Sequence, residues 1–282
     1  MILFKKTADI AVYLLQQREQ GNTIGFIPTM GALHKGHISL LHDSKKSNSV
    51  SICSSFVNPA QFNDARDFDN YPTTIEKDID ALEAAGCDIL FLPSVLEMYP
   101  NGTEHAEKYN LGYLETVLEG KFRPGHFQGV CLVMHRLLTI ITADELYIGQ
   151  KDYQQCMVIK KLVELKDIKT HINICPTLRE AGGLAMSSRN MRLTELQRKQ
   201  AVKIFETLSY LKEIIKPGDL KAIKQIATQN LREAGFKPDY FEIANAHNLE
   251  ILNNWDGRTK TVALVAAFLG DVRLIDNLLL QN

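Results

Sequence analysis

Thr23-Ile24-Gly25-Phe26-Ile27-Pro28 runs straight into Thr29-Met30-Gly31-Ala32-Leu33-His34-Lys35-Gly36-His37, and the reading of this stretch decides the fold. Residues 23–27 form a short apolar run that reads as a buried strand, with Pro28 expected to end it. A helix is predicted from about residue 37 to residue 46. The sequence between them therefore reads strand, glycine-bearing loop, helix, with two histidines three apart where the helix opens.

The same alternation continues outward. Ahead of the stretch, Ile10, Leu14 and Leu15 lie at helical spacing, with Thr7 placed to cap that helix. Behind it come strands at residues 50–56, 88–92, 145–148 and 170–174. Helices marked by Ile75, Ile79 and Leu82, then by residues 130–141 and 154–165, separate them. Five short strands alternating with helices imply an α/β fold with a Rossmann-like, doubly wound parallel sheet. Ligands bind such sheets beyond the carboxyl ends of the strands. The unusual polar and glycine-rich segments, residues 28–37, 58–62, 149–152 and 176–189, all follow strands. The tail differs. Long helices at 195–216 and 221–234 precede strand-like runs at 240–244, 261–268 and 272–275, which reads as a smaller C-terminal α/β domain from about Asn190.

Composition sets limits. The 282 residues carry a net charge of -1, so no broad positive field favours nucleic acid. The five cysteines are scattered, without a Cys-x-x-Cys pair, which fits buried thiols in a reducing compartment better than a disulfide framework or a zinc knuckle. The N-terminal apolar run is too short for a signal peptide, and residues 261–269 fall well below the ~20 residues of a membrane span. The expectation is a cytoplasmic protein.

Four constellations carry the chemistry. In the first, His34 and His37 share a side of the helix start, where backbone N–H groups and the dipole favour phosphate, and Gly36 leaves room for a nucleotide. Taken alone the pair reads more readily as two surface histidines, and the strand–loop–helix context is what favours phosphate; the spacing does not suit zinc. In the second, Phe56-Val57-Asn58-Pro59-Ala60-Gln61-Phe62, two amides face either a pocket or a turn. The third is Gly149-Gln150-Lys151-Asp152-Tyr153-Gln154-Gln155. There Lys151 is a point charge for phosphate, Asp152 an acceptor for ribose hydroxyls, and Gln155 lies one turn beyond; an ordinary helix start with a surface lysine is the alternative. In the fourth, Gly182-Gly183 reads as a hinge before Met186-Ser187-Ser188-Arg189, a mobile clamp for a triphosphate or else a solvated linker. A further loop around Arg123 reads as a lid or as a plain exposed loop. Asp78 is either a magnesium neighbour or part of a solvated helix face.

Together, in order and spacing, these segments resemble the pantothenate synthetase (pantoate–β-alanine ligase) family, within the two-histidine nucleotidyltransferases, and the resemblance extends to Val272-Arg273-Leu274-Ile275-Asp276-Asn277. It implies ATP-dependent joining of pantoate to β-alanine through an adenylate. It implies His34, His37 and Lys151 as catalytic groups, with His37 the proton donor. The ATP site would comprise Met30, Gly31, Ala32, Leu33, His34, Lys35, Gly36, His37, Gly149, Gln150, Lys151, Asp152, Leu178, Met186, Ser187, Ser188 and Arg189. Gln61 and Gln155 would hold pantoate, and Gln61 also β-alanine. Magnesium is the implied ion, with ligands not assigned, and a homodimer the implied assembly; neither nucleic acid nor membrane is a partner. Residues 1–189 would bind nucleotide and pantoate, and 190–282 would form the small domain.

Three positions depart from the family pattern: Gly182 where Asp is usual, Thr73 after Tyr71-Pro72 where Arg is common, and Arg192-Leu193 where a Tyr-Leu pair is common. The rival readings are another adenylyltransferase with the same histidines, which would lack the Gln61 and Gln155 amides, and a nucleotide sensor without catalysis.

Overall fold

The structure is a computed structural model that describes residues 1–63, 65–103 and 106–281. Its first elements are β1 (Ile2–Phe4), α1 (Thr7–Glu19), β2 (Ile24–Thr29), α2 (Lys35–Ser47), β3 (Val50–Ser55), α3 (Ala65–Asp69), α4 (Ile75–Ala84) and β4 (Ile89–Phe91). Then follow α5 (Val95–Met98), α6 (Leu118–Phe122), α7 (His126–Ile141), β5 (Glu145–Gly149), α8 (Tyr153–Leu165) and β6 (His171–Cys175). The remainder holds α9 (Glu195–Ala201), α10 (Lys203–Ile214), β7 (Gly218–Asp219), α11 (Lys221–Glu233), β8 (Lys237–Asn245), β9 (Asn254–Trp255), β10 (Thr261–Leu269) and β11 (Val272–Leu279).

Backbone contacts divide the chain into two compact units, Met1–Gly149 with Gln155–Pro176, and Gln150–Gln154 with Thr177–Asn282. The expected boundary near Asn190 lies inside the second unit, because residues 179 and 180 are tied to later chain. Arg179 pairs with Asp276, and Glu180 with Arg198.

The first unit is built on a six-stranded sheet in the order β1-β4-β3-β2-β5-β6, parallel throughout. From β2 the order runs one way through β3 and β4, and the other way through β5 and β6. The topological switch therefore lies between β2 and β5, where a doubly wound sheet opens its ligand crevice. Side chains alternate between faces. Ile27, Cys53 and Leu90 share a cluster with Leu40, Leu41 and Leu82 from α2 and α4, and Phe26, Ile52 and Ile89 point to the other face. Gly25 is required: a Cβ there would lie 2.1 Å from Ser44 Oγ, so closely does α2 lie on β2.

Several local expectations change. β1 is a sixth strand that the hydrophobic pattern does not announce, since it is three residues long with Ile2 and Leu3 exposed. Pro28 stays within β2, in register with Ser54, but pairing to β5 ends at Phe26, so the proline sits where the strand is bonded on one side only. In α1, Ile10 and Leu14 are buried while Leu15 is exposed. Thr7 does not cap that helix. Its N–H and hydroxyl donate to Glu97 Oε1, each at 2.8 Å.

In the second unit a three-stranded antiparallel sheet, β11-β10-β8, carries the core. Phe241, Val265 and Leu274 of the sheet pack with Leu208, Leu211 and Leu231 of α10 and α11. The single helix expected over 195–216 is interrupted at Val202, giving α9 and α10. All five cysteines are buried and unpaired, and burial pushes the Cys131 thiol up to about 12. Among the described residues no helix is long and apolar enough to cross a membrane.

Candidate active site

The loop between β2 and α2 is shaped by two features that pattern alone does not reveal. Gly31 and Ala32 both adopt left-handed backbone, at φ 78° and 48°. For alanine this conformation is costly, and something must hold it. The holder is Asp78, a buried residue of α4, whose carboxylate accepts the N–H groups of Ala32 and Leu33, each at 2.8 Å. Thr74 Oγ1 donates a third hydrogen bond to it at 3.0 Å. Successive N–H groups in such a turn form a ready anion nest. Here the protein's own carboxylate occupies it. Asp78 is thus not on a solvated face.

The helix start is likewise closed by its own residues. His34 is the N-cap of α2: its Nδ1 accepts Gly36 N–H at 3.1 Å, and His37 Nδ1 accepts the His34 N–H at 3.3 Å. Hence the backbone N–H groups expected to meet phosphate are in part already spent on the motif itself. The consequence for the rings is specific. A nitrogen that accepts carries no proton, so each neutral imidazole has its N–H at Nε2. The two rings are stacked, centroids 4.0 Å apart and planes 25° from parallel. His34 and His37 are therefore brought together as one pair of Nε2–H donors at the carboxyl end of β2.

The amide expectation divides. Asn58 is buried, with Nδ2 donating to Gln61 Oε1 and Gly129 O at 3.2 and 3.0 Å. Its Oδ1 accepts from Tyr99 Oη and Ala60 N–H. All of its polar capacity is used internally, so it positions rather than binds. Gln61 is buried too. Its oxygen is committed to Asn58, and its Nε2 lies 2.8 Å from Met30 Sδ. Its carbonyl is held by His126 Nδ1 at 2.8 Å, and Arg123 donates to His126 Nε2 at 3.1 Å. Arg123 is accordingly turned to His126 and Glu119 rather than raised as a lid. A cavity of about 230 Å³ lies beside this loop, lined by Met30, Ala32, Phe56, Thr73 and Asp78 among others. Thr73, one of the departures from the family pattern, thus lines open space. Gln155 is half-buried in the first turn of α8.

Lys35 opens α2, and the expected ATP residues beyond that helix belong, apart from Gly149 at the end of β5, to the second unit. Gln150–Asp152 is a single 3-10 turn, with Lys151 Nζ 3.6 Å from Asp152 Oδ1. Exposed Leu178 accepts the Met186 N–H through its carbonyl at 3.0 Å. Between them Arg179 bridges to Ala185, and Glu180 N–H donates to Leu184 O, so this segment is a small hairpin. Gly183 makes its turn at φ 96°, and a Cβ there would lie 2.4 Å from the Phe205 ring. The glycine pair sits in a packed turn. A Cβ at Gly182 would come within 3.1 Å of Val202 Cγ2, a tight contact. Ser187 then caps the 3-10 turn Ser188–Arg192.

Sequence reasoning missed Asp78 as a clamp and Asn277, described below. Among the described residues no group of three or more His, Cys, Asp or Glu side chains is placed to hold a metal.

A doubly wound α/β sheet with a paired-histidine helix start at its switch point defines a nucleotide-binding class of enzyme. Within that class the relatives are specific. The family profile described as pantoate-beta-alanine ligase matches residues 2–279. A pantothenate synthetase of Cytophaga hutchinsonii is 41% identical over 289 residues, covering 99% of each chain. The crystal structure of pantothenate synthetase from Thermus thermophilus superposes with a TM-score of 0.92 at 35% identity, covering 100% of each chain. That of pantoate-beta-alanine ligase from Francisella tularensis, complexed with beta-gamma ATP and beta-alanine, gives 0.83 at 39% identity, covering 99% of this chain and 98% of its own. The chain belongs to the pantoate–β-alanine ligase family.

Proposed function

We propose that this enzyme condenses pantoate with β-alanine at the expense of ATP, releasing AMP and diphosphate. The observation that carries the reading is the histidine pair, its tautomers fixed by backbone caps so that two Nε2–H groups leave the helix start together.

A carboxylate does not react usefully with an amine, because oxide would have to leave. Attack of the pantoate carboxylate on the α-phosphorus makes a mixed anhydride and expels diphosphate. The β-alanine amine then attacks the acyl carbon and displaces AMP. His34 and His37 hydrogen-bond the phosphate oxygens as charge builds, His37 being the proton donor, and Lys151 and Arg189 add positive charge. Residues 149–152 and 186–189 hold ribose and phosphates, and the backbone of Leu178 meets adenine. Gln61, whose oxygen is already bonded to Asn58, offers N–H to the hydroxy acid and later to β-alanine; Gln155 is its partner for pantoate. Neutral amides orient the carboxylate without blunting it as a cation would.

Magnesium enters on the substrate, as the ion of the ATP complex. A magnesium ion that keeps several waters and takes phosphate oxygens needs no protein cage. The cytoplasm and a homodimer belong to the same reading, and light scattering on the purified chain tests the second.

The deciding experiment is exchange of labelled diphosphate into ATP without β-alanine. Exchange that requires pantoate is expected, followed by AMP release once β-alanine is added. A folded, ATP-bound protein showing no pantoate-dependent exchange would overturn the reading.

A further inference from the structure

The Asp276-Asn277 pair near the end of β11 has no part in the chemistry above, yet it is among the most committed polar groups of the second unit. Both side chains are buried. Asn277 Nδ2 donates to Gln150 O and Lys151 O, each at 2.9 Å, and Asn277 Oδ1 accepts from Gln150 Nε2 at 3.2 Å. Two carbonyls can be met only by the amide's NH2 end, so its orientation is fixed. Asp276 in turn fixes Asn277. Its Oδ1 accepts the Asn277 N–H at 2.8 Å, and its carboxylate is gripped by Arg179 through both guanidinium nitrogens at 2.6 and 3.0 Å. Arg179 itself lies 4.0 Å over the Phe205 ring.

Gln150–Asp152 is a single 3-10 turn that leads directly into α8, and Asn277 meets the carbonyls of its first two residues from a strand far along the chain. Serine would supply one donor and aspartate none; asparagine supplies two, at the correct spacing.

We infer that Asn277 is a positioning residue for the ATP-dependent reaction, setting the backbone of Gln150 and Lys151 so that the Lys151 ammonium is presented to the phosphates. The inference rests on the assignment of Lys151 to the ATP phosphates, and its test separates the two. Pantoate-dependent diphosphate exchange is measured for the wild type, N277A, K151A and the double variant. Asn277→Ala should lower exchange about 10- to 100-fold, the scale of a misplaced group in a preorganised site. The double variant should be no slower than K151A alone, because Asn277 acts through Lys151. Losses that multiply would assign Asn277 a merely structural role and overturn the inference, with the Lys151 assignment intact. K151A exchanging as fast as wild type would instead overturn the Lys151 assignment, and the inference with it. If N277A does not fold, Asn277→Ser, which keeps one donor, carries the same cycle. Amide hydrogen exchange over residues 150–153 gives a second readout: it should quicken in the variant, and unchanged protection would overturn the inference.

Discussion

Two short segments carry the groups assigned to the ATP phosphates, and they are held in opposite ways. The histidine loop is largely self-contained. His34 and His37 cap each other's backbone, and the loop ahead of them is clamped by Asp78, only 45 to 46 residues on. The Lys151 turn takes its support from elsewhere, its two carbonyls relying on an asparagine 126 or 127 residues away. The first region spends part of its anion-binding backbone on its own side chains. The second borrows its shape from a distant strand. The rigidity of the assigned groups therefore has two separate sources, and each can be removed without touching the other.

The sharpest test of the self-contained loop is His37→Ala. It should lower turnover by about 10²- to 10³-fold, the range for loss of a preorganised transition-state donor, while circular dichroism shows the fold retained. Unchanged turnover would end the claim that the caps exist to present Nε2–H. Next in size is Asp78→Ala, which leaves the Ala32 and Leu33 N–H groups without their acceptor. A loss of about 2 to 4 kcal/mol is expected in denaturant titration, with activity falling alongside. A stable, active D78A would mean the left-handed loop holds itself. In the second unit, Gly183→Ala should cost about 1 to 3 kcal/mol through its positive φ and its collision with Phe205, and a thermal melt decides it. If the melting temperature were unchanged, the hairpin would be the hinge that Gly-Gly suggests. The smallest effect belongs to Ala32→Gly. Relief of the left-handed alanine offsets the greater freedom of glycine in the unfolded chain, leaving stability within about 1 kcal/mol of wild type. A large loss would show that the methyl group is packed for a reason the clamp does not supply.

How much of this was legible follows from where the partners lie. The parallel sheet was readable because its strands are buried on both faces and appear as apolar runs between helices; β3 is buried at every position. β1 was not, since an edge strand with two exposed residues has no pattern to show. His34 and His37 stood out because type, spacing and a preceding strand coincide within one short stretch of chain. Asp78 looked like any acid in the first turn of a helix, where acids are common on solvated faces. Asn58 and Gln61 resemble each other in sequence, yet Tyr99 and Gly129 enclose one and leave the other to meet Met30. Asn277 ends a segment that shares in the family resemblance, but nothing around it in the sequence marks what its side chain does. Its role exists only once β11 is paired and residues 150 and 151 are brought to it.

That last dependence also has a history within each molecule. A contact across 126 residues closes a long loop, and long-range contacts tend to form late. The β2–α2 loop can reach its final shape with its near neighbours, while the Lys151 turn must wait for the last strand to add to its sheet. During refolding, the spectral signs of the parallel sheet should therefore return before the capacity to exchange diphosphate. The interval between them would be the time β11 takes to dock.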